Sequence, residues 1–220
     1  MDPQVPIARA LAIAGDRIAG GVGAHETALA SPDTVDLGGR AVVPGLTDAR
    51  VSAGGDLDEL RRALKLAAAR GLTAVHAVDG LALWAELDAV GALTLRVWQL
   101  LTATELAALE SLGLRLGFGT PFLRLGAEVP DADGVYGSGR PLAESDPLTH
   151  VRGERDREGA LAALTVRPAA LTGDARRRGR LLPGFLADLV VLDHDPVEDP
   201  DPRVVATMVG GRWIHNPPPW

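Results

Sequence analysis

The residues whose types could do chemistry are thinly spread along this 220-residue chain. Asp131 and Asp133 are spaced to pair for general acid–base work, although in a Gly/Pro-rich stretch the same spacing is that of turn chemistry. Gly134-Val-Tyr-Gly-Ser-Gly139 has the glycine content of a phosphate cradle but no P-loop lysine. Tyr136-Gly-Ser138-Gly139 does not make the Gly-x-Ser-x-Gly of a nucleophile elbow. Arg176-Arg177-Arg178-Gly-Arg180 could attract an anion, and reads first as a solvated basic face. Asp188, Asp193, Asp195, Glu198, Asp199 and Asp201 read the same way, as solvated turns. His25, His150, His194 and His215 stand isolated in turn-like contexts and read as solvated. There is no cysteine, which excludes disulfides, thiolate zinc sites, iron–sulfur clusters and a cysteine nucleophile.

Any such chemistry must be positioned by elements, and the hydrophobic period divides the chain into three stretches. Short apolar runs at Ile7–Ala14, Arg17–Ala19, Thr34–Leu37 and Ala41–Val43 imply a small β-layer, with Gly15-Asp16 as a tight hairpin turn. From residue 56 the period becomes helical. Asp56 and Glu59 form a capping box ahead of Leu57, Leu60, Leu64 and Ala67, and Gly71 stops that helix. Leu72–Ala77 reads as a strand, Leu81–Val90 as a helix and Leu93–Trp98 as a strand. Thr102 to Gly113 is again helical, and Leu114–Phe118 is the next apolar run. This is the tempo of βα units on a parallel sheet. Residues 126–155 read as a long loop, Asp156–Thr165 as a helix, and Arg167-Pro168 as its end or a new start. Ala187–Leu192 and Val204–Val209 are strands, the latter joined to Trp213-Ile214 through Gly210-Gly211.

Composition sets outer bounds. The chain is 46% hydrophobic and 23% charged with a net charge of −7, which disfavours a nucleic-acid-binding surface, and no apolar run approaches the ~18 residues of a membrane span. Met-Asp-Pro-Gln-Val-Pro has no basic stretch followed by an apolar core, so the expectation is a cytoplasmic protein.

At both ends the residues then resemble a family. Ala10-Leu-Ala-Ile-Ala-Gly-Asp-Arg-Ile-Ala19 with Val35-Asp-Leu-Gly-Gly-Arg-Ala-Val-Val-Pro-Gly-Leu-Thr-Asp48 resembles the opening of composite-domain, metal-dependent amidohydrolases. Gly159-Ala-Leu-Ala-Ala-Leu-Thr165, Gly179-Arg-Leu-Leu-Pro-Gly-Phe-Leu-Ala-Asp-Leu-Val-Val-Leu-Asp193 and Val209-Gly-Gly-Arg212 resemble its closing segment. Gly71-Leu-Thr-Ala-Val-His76, Leu93–Trp98 and Gly117–Gly126 are similar to its early barrel strands. The resemblance implies a small β-sandwich, built from both chain ends, beside a (β/α)8 barrel with one or two divalent metals at its strand ends. A barrel takes about 250 residues, and this chain leaves roughly half of that. The resulting expectation is an α/β fold with a partial (β/α) barrel of about four βα units and a composite sandwich. Its divisions are 1–48, 49–180 and 181–220, and the shortening falls within 134–150.

The same resemblance locates the family's ligand positions. The first-strand His-x-His falls on Asp48-Ala-Arg50-Val-Ser52. Arg50 has no lone pair to give and Ser52 is a poor neutral ligand. The bridging lysine falls at Val129 beside Glu128, and the last-strand aspartate falls within Gly137-Ser138-Gly139. His76, in His76-Ala-Val-Asp79, is the remaining candidate ligand; the alternative is a strand-end histidine bonded to backbone.

The expected set is therefore Asp48 and Asp133 as candidate catalytic carboxylates and His76 and Glu128 as candidate ligands for a divalent zinc, manganese or iron ion. One reading is a hydrolase of non-peptide carbon–nitrogen bonds, impaired by the replaced ligands. The other is a non-catalytic binding or interaction module. In either, Arg50 could supply the charge a metal once did by pairing with Glu128 or Asp133. A small-molecule ligand is expected, with neither nucleic acid nor membrane as partner. A homodimer is expected to cover the open strand edges and apolar inner face of an incomplete barrel.

Overall fold

Where the period changes, the secondary structure changes with it. The computed structural model describes residues 10–20, 34–127 and 134–218. Ala12–Ala14 (β1) and Arg17–Gly20 (β2) form an antiparallel hairpin, turned at Gly15 with φ 59°, a conformation cheap only for glycine. Ala41–Pro44 (β3) follows. Residues 34–37, expected as a strand, carry none; instead the Asp36 carboxylate accepts a hydrogen bond from Gly38 N at 2.9 Å and makes a turn.

The middle of the chain alternates strand and helix. Leu46–Ser52 (β4), Leu72–Ala77 (β5), Arg96–Leu101 (β6) and Leu123–Ala127 (β7) are parallel neighbours. Leu57–Ala69 (α1), Leu81–Ala89 (α2) and Ala103–Ser111 (α3) connect them. The capping box of α1 is present in both directions: Asp56 accepts from Glu59 N at 2.8 Å and Glu59 accepts from Asp56 N at 3.3 Å. Thr102 and Glu105 repeat the device at α3. Leu60, Leu64, Trp84 and Leu87 of the helices pack with Val75, Val97 and Leu123 of the sheet in one buried cluster.

Arg140–Pro141 (β8) pairs in parallel with Val51–Ser52 of β4, giving the sheet order β7-β6-β5-β4-β8. In a closed barrel the last strand returns to the first, and β8 occupies that place. The fold is thus a partial barrel of four principal strands and a two-residue remnant of the closing strand.

Both chain ends build the second layer. Leu189–Leu192 (β9), Val204–Val209 (β10) and Arg212–His215 (β11) join β3 in an antiparallel sheet of order β11-β10-β9-β3. Alternation along β9 serves two cores at once: Leu189 and Val191 face Ile18 and Met208, whereas Val190 and Leu192 belong to the barrel cluster.

Three expectations need correction. The third barrel strand is Arg96–Leu101 rather than Leu93–Trp98; the apolar run continues to Leu101 and is buried throughout, so alternation could not fix its ends. The stretch 126–155 is not one long loop: it contains β8, a 3-10 turn at Leu142–Glu144 and a helix, Leu148–Gly153 (α4), ahead of Arg157–Leu164 (α5) and Val166–Leu171 (α6). Leu114–Phe118 is not a barrel strand. The chain turns at Gly117 and Gly119, with φ 83° and 137°, and residues 117–120 run back along β7. Gly117 N donates to Leu125 O at 2.7 Å, Leu125 N to Phe118 O at 2.9 Å and Thr120 N to Leu123 O at 2.8 Å. These bonds occupy Leu123 O and the outward-facing polar groups of Leu125, so that part of the β7 edge is covered by the chain's own backbone.

The inner face is covered as well. Cα register aligns His76 with Trp98 and Trp98 with Arg124, and Ala74 with Arg96, on the side opposite Val75 and Val97. Onto this face fold the turn after α6, carrying Asp174, Arg177 and Arg178, and the lead-in to β9, carrying Asp188. The inner face and part of the β7 edge are thus covered within one chain.

Candidate functional site

Asp48 and His76 fall on opposite faces of the sheet. Asp48 lies beside Val75 in register and is fully buried. Its Oδ1 accepts from Arg50 N at 3.0 Å and from Ser138 N at 2.9 Å, and its Oδ2 accepts from Ser145 Oγ at 2.6 Å. The carboxylate therefore ties the first barrel strand to the segment around β8. Burial pushes its pKa up, and the hydrogen bonds from Ser138 and Ser145 offset part of that rise. Gly137-Ser138-Gly139 sits beside β4, Gly139 N donating to Arg50 O at 2.9 Å.

His76, on the inner face, is buried. Burial, aided by the Arg178 charge, pulls its pKa down to about 3, so the imidazole is neutral across the physiological range. Around it the inner face is built from buried charges. Arg96 grips Asp188 with two hydrogen bonds, Nε to Oδ2 at 2.8 Å and Nη2 to Oδ1 at 3.0 Å. Gly210 N adds a third to Asp188 at 2.8 Å. Burial opposes the Asp188 charge, but these bonds and the charges of Arg96 and Arg178 outweigh it and hold the carboxyl below its ordinary range. Arg178, with a side chain only 4% exposed, lies 3.5 Å from Asp188 and 3.8 Å from Asp174. Trp98 Nε1 donates to Asp174 at 3.3 Å.

Asp188 and Arg178 are thus corrections: neither is a solvated surface charge. The missed signal was their spacing around apolar anchors, Asp188 between Ala187 and Leu189 and Arg178 ahead of Leu181-Leu182. His150 also departs from expectation, stacking on Tyr136 with ring centroids 5.0 Å apart. Asp131, Asp133, Glu128, Val129 and His25 lie outside the described residues, as do the carboxylates proposed to pair with Arg50.

The described residues do not suit a divalent metal. Among them, no group of three or more His, Asp or Glu side chains converges as a ligand set. The His-x-His positions hold Arg50, which is exposed, and Ser52. His76 lies within the field of the Arg178 guanidinium, which repels a cation, and Asp48 points to the other face. The arrangement is a buried, fixed lattice of guanidinium and carboxylate groups beside one neutral imidazole.

Comparison with known proteins gives a consistent fold. Residues 137–215 match the sequence model of the amidohydrolase family. A prolidase solved with N-methylphosphonate-L-proline superposes with a TM-score of 0.69 at 13% identity, covering 94% of each chain. A Xaa-Pro dipeptidase with methionine in its active site gives 0.67 at 11% identity over 94% of each. The A. niger ochratoxinase gives 0.65 at 13% identity, over 94% of this chain and 91% of that one. No curated protein sequence matches significantly. Among the described residues no helix is long and apolar enough to cross a membrane.

Proposed function

We propose, from the match of residues 137–215 to the amidohydrolase family model, that this chain is an amidohydrolase-like protein that binds a small molecule or partner without hydrolysing it. One observation carries the reading: the inner barrel face, where the family's chemistry needs metal ligands, is filled by Arg96, Asp188, Arg178 and Asp174. A buried Arg–Asp lattice is a costly thing to dismantle, so substrate would have to displace a structural element to reach a metal there. Asp48, the other candidate for chemistry, is committed to three hydrogen bonds and serves to hold the closing-strand remnant against β4.

The second reading is a hydrolase of non-peptide carbon–nitrogen bonds with one weakly held zinc, manganese or iron ion. It is favoured by His76 Nε2, which is buried without a hydrogen-bond partner as a ligand nitrogen would be once its metal is removed. Elemental analysis of protein purified without chelator, followed by zinc, manganese and iron add-back, separates the two. The binding reading expects no stoichiometric metal under any addition. Near-stoichiometric metal, lost in His76→Ala, would overturn it and justify screening amides, lactams and cyclic ureas.

A further inference from the structure

Two guanidiniums are left over once the buried charge pairs are matched. Arg96 is committed to Asp188 and to Pro121 O at 3.0 Å. Asp174 accepts from Trp98 Nε1 at 3.3 Å and lies 3.4 Å from Arg177 and 3.8 Å from Arg178. Setting Arg96 against Asp188 and the buried Arg178 against Asp174 leaves Arg124 and Arg177 as a positive surplus. Arg124 gives its Nε to Thr120 O at 3.2 Å and lies over the Trp98 ring; among the described residues its two Nη groups have no hydrogen-bond partner. The Arg177 side chain is 36% exposed, so it too has donors within reach of a ligand.

Both guanidiniums reach one niche. Arg96, Trp98, Phe122, Arg124, Asp174 and Arg177 line a hollow that is water-sized at its floor and about 220 Å³ counting its open mouth. It opens beside the first residues of β6 and the lead-in to β7, and neither His76 nor Arg178 is among its walls. Its walls carry three guanidiniums against one carboxylate, a setting that repels a cation and attracts an anion. Aromatic rings hold two of the three in place: Arg96 packs on Phe122 at 5.1 Å and Arg124 on Trp98 at 5.9 Å, so the forks are oriented before a ligand arrives. A planar fork of N–H donors matches an oxyanion. A surplus of two positive charges matches the charge of about −1.5 to −2 on a phosphate group at neutral pH better than the single charge of a carboxylate. We propose that this niche binds a phosphate dianion, free or as the end group of a small molecule, with one oxygen at the floor and the others on the outer donors of Arg124 and Arg177. The inference rests on the binding reading above and names the chemistry of what is bound.

The test titrates the full chain with inorganic phosphate and with phenyl phosphate at constant ionic strength, chloride making up the balance, and reads the heat of binding and the thermal midpoint. A saturable response to phosphate is expected, with acetate clearly weaker. Arg124→Gln, which leaves the Arg96–Asp188 grip in place, should weaken phosphate binding about tenfold, and Arg124→Lys should recover part of the loss. Calorimetry below each variant's thermal midpoint keeps a loss of stability from passing for a loss of binding. Phenyl phosphate held as well as phosphate would mark a monoester as the ligand, and phosphate held alone would mark the free ion. Phosphate no better than chloride, or parental affinity in Arg124→Gln, would overturn the niche, and acetate equal to phosphate would overturn the assignment of its ligand. The two possible failures stay distinct: metal lost in His76→Ala counts against the binding reading, and the phosphate titration counts against the niche.

Discussion

Arg96 and Asp188 meet in a two-bond grip, at 2.8 and 3.0 Å, with side chains only 7% and 5% exposed. One belongs to a barrel strand and the other to the lead-in of a sandwich strand, so the pair fastens the two layers across the inner face. Removing one partner leaves a buried charge uncompensated. Arg96→Met or Asp188→Asn should each cost about 3–5 kcal/mol of unfolding free energy. In a double-mutant cycle by urea denaturation, the Arg96→Met/Asp188→Asn pair should cost clearly less than the two single losses added. Strict additivity would mean the pair is not coupled.

His76 is expected to contribute to the acid limit of stability. Its pKa is about 3 in the folded chain against about 6.5 when unfolded, so the unfolded state binds more protons between those values. Stability is then fully present above pH 6.5 and falls as pH drops toward 3, by an amount on the order of a few kcal/mol. His76→Leu should flatten this limb of the midpoint-versus-pH curve. An unchanged slope between pH 6.5 and 4 would assign the acid limit to other groups.

Asp48 titrates in the opposite sense. Its folded pKa is raised by burial, so the neutral form is favoured in the fold, and stability is lost as pH rises through that value. Asparagine keeps an acceptor for Arg50 N and Ser138 N without the charge. Asp48→Asn should therefore hold stability within about 1 kcal/mol at pH 7, whereas Asp48→Ala, which orphans buried donors, should lose about 1–3 kcal/mol. If asparagine proves as damaging as alanine, the charge itself is what the site requires.

Gly119 guards the sheet edge. A Cβ there would meet the Leu123 carbonyl oxygen, on a backbone with φ 137° that side chains rarely adopt. Gly119→Ala should loosen residues 117–120 from β7 and expose its polar groups. Light scattering across micromolar concentrations should show more self-association in the variant than in the parent chain. Identical curves would mean that the covering turn is dispensable.

Local chemistry was legible wherever a signal is short-range. The capping box at Asp56, the helix start at Thr102, the turn at Gly15, the stop at Gly71 and the strands Leu72–Ala77 and Val204–Val209 depend on a few neighbouring residues, and sequence patterns read them directly. The composite sheet and partial barrel were legible through family resemblance, because β3 and β9 pair across most of the chain and no local pattern carries that. The inner-face cluster was not legible. Arg178 sits in an arginine run and Asp188 among six scattered carboxylates, and charge in such settings is ordinarily solvated. Only the folding of 174–188 onto β5, β6 and β7 reveals that these charges are buried.

The pairing of β3 with β9 also has a kinetic side. Val42 and Val43 find their partners, Val191 and Val190, only after the whole barrel portion has been synthesised. On the ribosome the first strand of this sheet emerges early and waits, its apolar side chains uncovered, while five strands and their helices are made. Such distant contacts slow folding, and an interrupted chain would hold a barrel fragment whose inner face lacks Asp174, Arg178 and Asp188. The barrel is closed by residues 174–192, so copies terminated before them would expose an unfinished inner face of the kind that chaperones and proteases act on.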